Sequence, residues 1–291
     1  MLNVLSLFDG MSCGQMALKK ANLKINKYFA SEIDKYAIQV TQKNHPNTIQ
    51  LGDITKLKAN NLPKIDLLIG GSPCQSFSRV GDGKGFDGKS KLFFEFVRIL
   101  KEVNPKFFLL ENVLMKKEWE DVITKELGVK PIKINSSLLS AQNRPRIYWT
   151  NIQNINIPDD KRIIIKDILE ENASFSESYP NYLDLEFCRK KRKDMVQEES
   201  KKASCLTASM YKGQVSSFCK DSQGRIHKYS PIECERLQTL PDNYSDCVSN
   251  TQRFKMLGNG WTIDVISHIL SHIPLAENLK EDGIPPTNEN V

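Results

Sequence analysis

A chain of 291 residues, 40% hydrophobic and 26% charged, is long enough for one large core or one large and one small lobe. Its composition excludes the disordered and membrane classes. No run approaches the roughly 18 consecutive apolar residues of a membrane helix, and the first residues lack the basic start and cleavage site of a secretory signal, so a cytoplasmic location is expected. Seven scattered cysteines without a Cys-x-x-Cys pair read as reduced thiols, no histidine has metal-ligand spacing, and a net charge of +6 permits a polyanionic partner without requiring one.

In chain order, short apolar runs alternate with helix-like spacing over residues 1 to about 150, the pattern of βαβ units around a parallel sheet. Strands are predicted at Asn3–Leu7, Lys27–Ser31, Leu67–Gly70 and Phe107–Glu111, with helices over Gly14–Ala21, Tyr36–Asn44 and Leu92–Val103. Periodicity weakens from 154 to 231, a stretch holding the basic run Arg189-Lys190-Lys191-Arg192-Lys193, most simply a solvated helix face. Regular signals return at Pro231–Leu237 and Trp261–Ile273, and a polar, proline-bearing tail closes the chain. The expected organisation is an α/β, Rossmann-like domain over 1–153, a smaller domain over 154–231, a return to the first over 232–275, and a tail over 276–291.

Ligands of open α/β sheets bind at the carboxyl ends of the strands, and the polar segments there are informative. The first strand runs through Phe8-Asp9-Gly10-Met11-Ser12-Cys13-Gly14 into a helix, a turn where glycine lets backbone amides approach a ligand. Glu32 follows the second strand, 22 residues beyond Gly10, where Rossmann-like folds place an acid for ribose hydroxyls. Asp53, in Gly52-Asp53-Ile54, suits an adenine amine. Each acid alone is most simply a surface charge, but the ordered set favours an adenosine-containing ligand. Without a Gly-Lys-Ser/Thr phosphate loop, it points to S-adenosylmethionine rather than ATP. At the end of another strand stands Gly71-Ser72-Pro73-Cys74-Gln75, followed by a glycine-rich segment suited to a closing lid. A lone cysteine is most simply a small hydrophobe.

Taken together, Phe8-Asp9-Gly10, Glu32, Asp53, Pro73-Cys74-Gln75, Glu111-Asn112-Val113, Gln142-Asn143-Arg144-Pro145-Arg146, Glu235-Arg236-Leu237-Gln238 and Gly258-Asn259-Gly260 resemble the ordered motifs of the C5-cytosine methyltransferase family. The resemblance spans residue 3 to about 270. In motif style it looks most like the branch containing the animal de novo enzymes and many bacterial and phage relatives, although Cys13 stands where glycine is often found.

The resemblance implies a Rossmann-like S-adenosylmethionine-dependent methyltransferase domain with a smaller target-recognition domain over 154–231. It implies methyl transfer from S-adenosyl-L-methionine, with S-adenosyl-L-homocysteine as product and no metal. The acceptor is C5 of a cytosine flipped out of double-stranded DNA. Cys74 is the implied covalent nucleophile, with Glu111, Arg144 and Arg146 as its catalytic companions. The implied cofactor site comprises Phe8, Asp9, Gly10, Met11, Ser12, Gly14, Glu32, Ile33, Asp53, Ile54, Ser72, Leu92, Asn259 and Trp261, with Phe8 and Ile33 enclosing the adenine. Implied DNA contacts are Gln75, Ser78, Thr207, Ser209, Tyr211 and Lys212, with the 189–193 run on phosphates and the loop from about Gln75 to Lys91 closing over the base. The Glu235-Arg236 pair is expected to brace the two lobes, and a monomer is expected. Whether a cognate restriction endonuclease is encoded elsewhere stays open. So do two alternatives, an RNA (tRNA) cytosine methyltransferase of the same fold and an inactive DNA-binding homologue. The absence of a Cys-Phe-Thr tripeptide speaks against the first, and the presence of Cys74, Glu111 and Arg146 against the second.

Overall fold

The computed structural model describes residues 1–73, 92–176 and 196–274. In chain order its first half comprises β1 (Leu2–Leu7), α1 (Cys13–Lys20), β2 (Ile25–Ser31), α2 (Lys35–Asn44), β3 (Ile49–Gln50), β4 (Leu67–Gly71), α3 (Phe93–Val103), β5 (Phe107–Val113), α4 (Lys117–Leu127), β6 (Ile132–Asn135) and β7 (Pro145–Thr150). These seven strands form one sheet in the order β3-β2-β1-β4-β5-β7-β6. Because successive side chains of a strand point to opposite faces, each central strand feeds two cores. Val4, Leu67, Ile69, Leu109 and Tyr148 pack with α1, α2 and the last helix, α7 (Ile263–Leu270). Leu5, Leu7, Leu68, Phe108, Leu110, Ile147 and Trp149 pack with α3 and α4 on the other face. Burial on both sides explains why these strands read as nearly continuous apolar runs.

The predicted strands and helices are present within one or two residues of their expected ends, except that the last helix stops at Leu270, three residues short of Ile273, and the sheet is mixed rather than parallel. β1 to β5 pair in parallel, whereas β7 lies antiparallel between β5 and β6. This reversal brings the start of β7 to the carboxyl end of β5, with Val113 opposite Arg146 and Glu111 opposite Tyr148. Arg146 therefore joins the carboxyl-end loops although it begins its own strand. Helix α4 and strands β3, β6 and β7 add to the elements expected from sequence.

Over 154–231 the described residues hold little regular structure, chiefly a three-stranded sheet of β8 (Gln197–Glu198), β9 (Phe218–Lys220) and β10 (Ile226–Lys228). The 189–193 run lies outside the described residues. The chain then enters α5 (Pro231–Leu237), whose start is fixed by Pro231 in the first turn and by a capping box. There the Ser230 hydroxyl accepts from Glu233 N, and the Glu233 carboxylate accepts from Ser230 N at 2.8 Å. His227 meets the same buried Glu233 at 2.7 Å. Arg236 donates to the carbonyls of Ile168 and Leu169, so it crosses to the smaller region as expected. Glu235 does not cross. It accepts from Asn243 N, Ser245 N and Arg253, all within the returning segment, because its buried carboxylate needs those nearby donors.

A tight approach between the two regions involves α6 (Asn250–Asn259). A β-carbon on Gly258 would fall 2.1 Å from the carbonyl carbon of Thr207 and 2.3 Å from the amide nitrogen of Ala208. Ordinarily, replacing a helical glycine by alanine stabilises by roughly 1 kcal/mol. Here the steric term reverses the sign, since backbone rather than a flexible side chain must move. Gly258→Ala is expected to cost about 3 kcal/mol in urea unfolding; a more stable variant would contradict the backbone contact.

Candidate active site

The first strand ends in a sharply folded turn in which Phe8, Gly10 and Ser12 all have φ between 57° and 60°. Glu32, just past the end of β2, ties this turn to its neighbour. One carboxylate oxygen accepts from Gly10 N at 2.7 Å, and the other accepts from Ile33 N at 2.7 Å and Asp34 N at 2.8 Å. Asp9 is nearly buried beneath, accepting from the Tyr28 hydroxyl at 2.8 Å and from Ser12. Burial pushes its carboxyl up to about 6, although these hydrogen bonds act in the opposite direction.

Across the cleft, Glu111 toward the end of β5 and Arg146 at the start of β7 form an ion pair at 2.9 Å, each side chain 12% exposed. Trp261 Nε1 donates to the second Glu111 oxygen at 3.1 Å. Gly71 makes room for this contact, since a β-carbon there would lie 2.9 Å from Trp261 Nε1 and 3.1 Å from Glu111 Oε2. Asn112, buried, donates to the Ser72 hydroxyl at 3.0 Å and so joins the ends of β4 and β5.

Arg144 is buried and differs from Arg146 in its partners. Its guanidinium donates to the carbonyls of Leu206 at 2.9 Å, Gly258 at 3.0 Å and Gly260 at 2.7 Å. Burial, followed by the proximity of Arg146, lowers its pKa. The Cys205 sulfur accepts from Arg144 Nη1 at 3.4 Å and from Arg146 Nη2 at 3.8 Å. Burial pushes that thiol up, but the two guanidinium groups outweigh it and hold the thiol below its ordinary value.

One cleft of about 290 Å³ gathers eleven of the eighteen expected catalytic and cofactor residues. Phe8, Asp9, Gly10, Met11 and Glu32 line one part of it, and Ser72, Glu111, Arg144, Arg146, Asn259 and Trp261 line the rest. Six expected cofactor residues are not in its lining. Ser12 is wholly buried, its hydroxyl turned to Asp9. Gly14 sits where a β-carbon would meet Ile69 and Tyr28 at 2.5 and 2.7 Å, so helix–sheet packing accounts for it. Ile54 belongs to the core under α3, and Leu92 precedes α3 and packs against the same core. Asp53 caps the short turn Ile54–Lys56 by accepting from Thr55, and those bonds lower its pKa. Ile33 is 76% exposed next to Glu32.

Cys74, Gln75, Ser78 and the loop to Lys91 lie outside the described residues, although Pro73 lines the cleft. Thr207 donates to Gln214 at 2.7 Å and lies 3.4 Å from the Ser209 hydroxyl, while Tyr211 and Lys212 follow in the tight turn Met210–Lys212. Sequence reasoning gives no site role to Cys13, Asp34, Ala37, Met256 or Gly260, which also line the cleft. Asn112 is visible within its motif but has no role assigned by it. Among the described residues no group of three or more His, Cys, Asp or Glu could hold a metal ion.

The model of the C-5 cytosine-specific DNA methylase family matches residues 2–274. Similar curated proteins include the type II methyltransferase M.NlaX of Neisseria lactamica, 30% identical over 97% of this chain and 99% of its own length. Another is the type II methyltransferase M.HhaI of Haemophilus parahaemolyticus, 27% identical over 96% of each. Among solved structures, the Entamoeba histolytica methyltransferase EhMeth superposes with a TM-score of 0.78 at 19% identity, covering 97% of this chain and 99% of that one. The Dnmt2 methyltransferase of S. pombe superposes at 0.72 and 19% identity, covering 96% and 100%. At those identities the superpositions establish the fold.

The geometry separates the two arginines by experiment. Arg144→Ala removes one fixed cation from three carbonyls and is expected to destabilise the protein by about 3 kcal/mol in urea unfolding. Arg144→Lys should recover only part of this, because an ammonium group does not reproduce the planar fork. Wild-type stability in Arg144→Ala would show that the three carbonyls find other donors.

Proposed function

As a member of the C-5 cytosine-specific DNA methylase family, to which it belongs over residues 2–274, the chain is a DNA (cytosine-5-)-methyltransferase, and we propose that it methylates an extrahelical cytosine through a covalent bond to Cys74. The observation carrying this reading is the cleft that joins the Glu32 turn to the Glu111–Arg146 pair. A methyl donor and a cytosine need adjoining sites, and the fold brings both sets of side chains to one space.

The donor side fits S-adenosylmethionine. Glu32 already accepts three backbone amides, and a carboxylate has about four acceptor positions, so capacity is left for a ribose hydroxyl. Ile33, next to Glu32, offers an exposed apolar surface for an adenine, and Phe8 lines the cleft. Asp34, with Glu32, gives the cleft acidic character suited to a cationic ligand. Bound there, S-adenosylmethionine supplies an electrophilic methyl on a positively charged sulfur.

The chain supplies the rest. Cytosine C5 is a weak nucleophile, and addition of the Cys74 thiolate to C6 converts the ring into an enamine. The displaced electron pair moves toward N3 and O2. Glu111, oriented from one side by Arg146 and from the other by Trp261, shares a carboxyl proton with N3, which neutralises the pair arriving there. Arg146, whose Nη2 has only a long contact to sulfur among the described residues, is free to donate to O2. C5 then takes the methyl from the sulfonium, which leaves as S-adenosyl-L-homocysteine, gives up its proton to a base, and the pair left by that C–H bond restores the C5–C6 double bond as the thiolate leaves. A stacked, paired base hides C6, so the cytosine must leave the helix. The segment 154–231 serves as the target-recognition domain, with Thr207, Ser209, Tyr211 and Lys212 toward the DNA and Gln75 and Ser78 beside the flipped base.

Two measurements test this reading. Duplex DNA carrying 5-fluorocytosine in place of cytosine, incubated with S-adenosylmethionine, should give an adduct that survives denaturing electrophoresis, because fluorine does not leave as a proton does. Cys74→Ser should abolish the adduct, whereas an adduct mapped by peptide mass to another cysteine would overturn the assignment. In calorimetry, Glu32→Ala is expected to weaken S-adenosylmethionine binding by about 1.5 to 3 kcal/mol; unchanged affinity would remove Glu32 from the donor site.

A further inference from the structure

Two lysines from different regions of the chain converge on one aromatic ring. Lys212, in the turn Met210–Lys212, holds its ammonium 5.7 Å from the centre of the Tyr211 ring. Lys255, on α6, holds its own 5.4 Å from the same centre. The two charges are thus at most about 11 Å apart. Lys212 is exposed and Lys255 half-buried. Among the described residues neither is paired with a carboxylate, unlike Lys20 with Asp264, Lys43 with Asp246, Lys117 with Asp121 or Lys133 with Glu120.

The backbones that carry them are held together by packing. One turn beyond Lys255, Gly258 meets the backbone of Thr207 and Ala208, which pins the 207–213 loop to the helix. The ring contacts add a preferred position for each ammonium over the negative face of the ring. Two like charges beside one ring, with no acid paired to either among the described residues, repel one another. A polyanion relieves that repulsion, and duplex DNA carries one negative charge per roughly 1.7 Å of its axis.

We infer that Lys255, Tyr211 and Lys212 form a two-cation saddle that grips the DNA phosphodiester backbone across the junction of the two regions, with Lys255 as a positioning residue contributed by the catalytic region. Met256, the next residue, lines the cleft, so a phosphate held here sets the register of the duplex against the reaction site. Phosphate contacts of this kind position the strand without reading its sequence. The inference rests on the reading of the cleft as a DNA-modifying site.

The test is the salt dependence of duplex binding, measured by fluorescence anisotropy on the full chain with a labelled mixed-sequence duplex. Removing one lysine that neutralises a phosphate should flatten the slope of log affinity against log salt by about one unit. Lys255→Gln and Lys212→Gln should each do so, and the double variant should flatten it by about two, with Lys255→Arg restoring the wild-type slope. A merely structural role would weaken binding without changing the slope. A wild-type slope in Lys255→Gln overturns the saddle while leaving the function intact. A wild-type protein that shows no salt-dependent duplex binding overturns both. At constant ionic strength, exchanging chloride for inorganic phosphate distinguishes the expected site, which holds only a continuous backbone and is displaced no more by phosphate than by chloride, from a general anion site, whose preferential displacement by phosphate would overturn the saddle.

Discussion

The buried guanidinium of Arg144 is the interaction on which the remaining architecture depends. A cation out of water is tolerated only when its donors are met, and three of its partners are carbonyls: Leu206 from the 154–231 segment, and Gly258 and Gly260 from the returning segment. One side chain therefore ties its own stretch to two others that are far apart in sequence. Two buried glutamines extend the same junction. Gln142 accepts from Leu206 N and donates to Leu237 O, while Gln238 donates to Leu257 O. Remove the fork of Arg144 and the ring of carbonyls that closes the cleft loses its common centre.

That centre also explains why two arginines in one short motif have different work. Arg144 turns into the junction, and Arg146, two residues later in the first part of β7, turns to Glu111. The antiparallel insertion of β7 sets Arg146 beside that carboxylate rather than at the far edge of the sheet. With Trp261 arriving from the returning segment, the carboxylate of Glu111 is held by two donors from two other parts of the chain. A carboxylate so constrained needs no further ordering, the kind of preorganisation that the contact proposed for it would use.

Much of this is legible in the sequence, for identifiable reasons. Strands buried on both faces give unbroken apolar runs such as Leu67–Gly71, and a capped start such as Ser230-Pro231 marks the beginning of α5. The motifs place Glu32, Glu111, Arg146 and Trp261 in a common site, and the structure brings them to one cleft. The reversal of β7 is not legible, because the alternation of a strand carries no information on its direction. Helix α4 leaves a signal in Trp119, Ile123 and Leu127 followed by Gly128 in the left-handed region, but it is faint beside the stronger motifs around it. The packing role of Gly14 is hidden for a different reason: a glycine demanded by a neighbouring tyrosine and one demanded by a ligand look alike in sequence. Lys255 has no motif, and only its approach to Tyr211 distinguishes it.

The contact at Gly258 is made by main-chain atoms of Thr207 and Ala208, so it depends on the path of that loop and hardly at all on which side chains it bears. A lineage can therefore exchange residues along 207–214 while the loop keeps its seat on α6. Such an arrangement separates attachment from content: the mounting is inherited through one glycine, and the surface it presents is free to diversify.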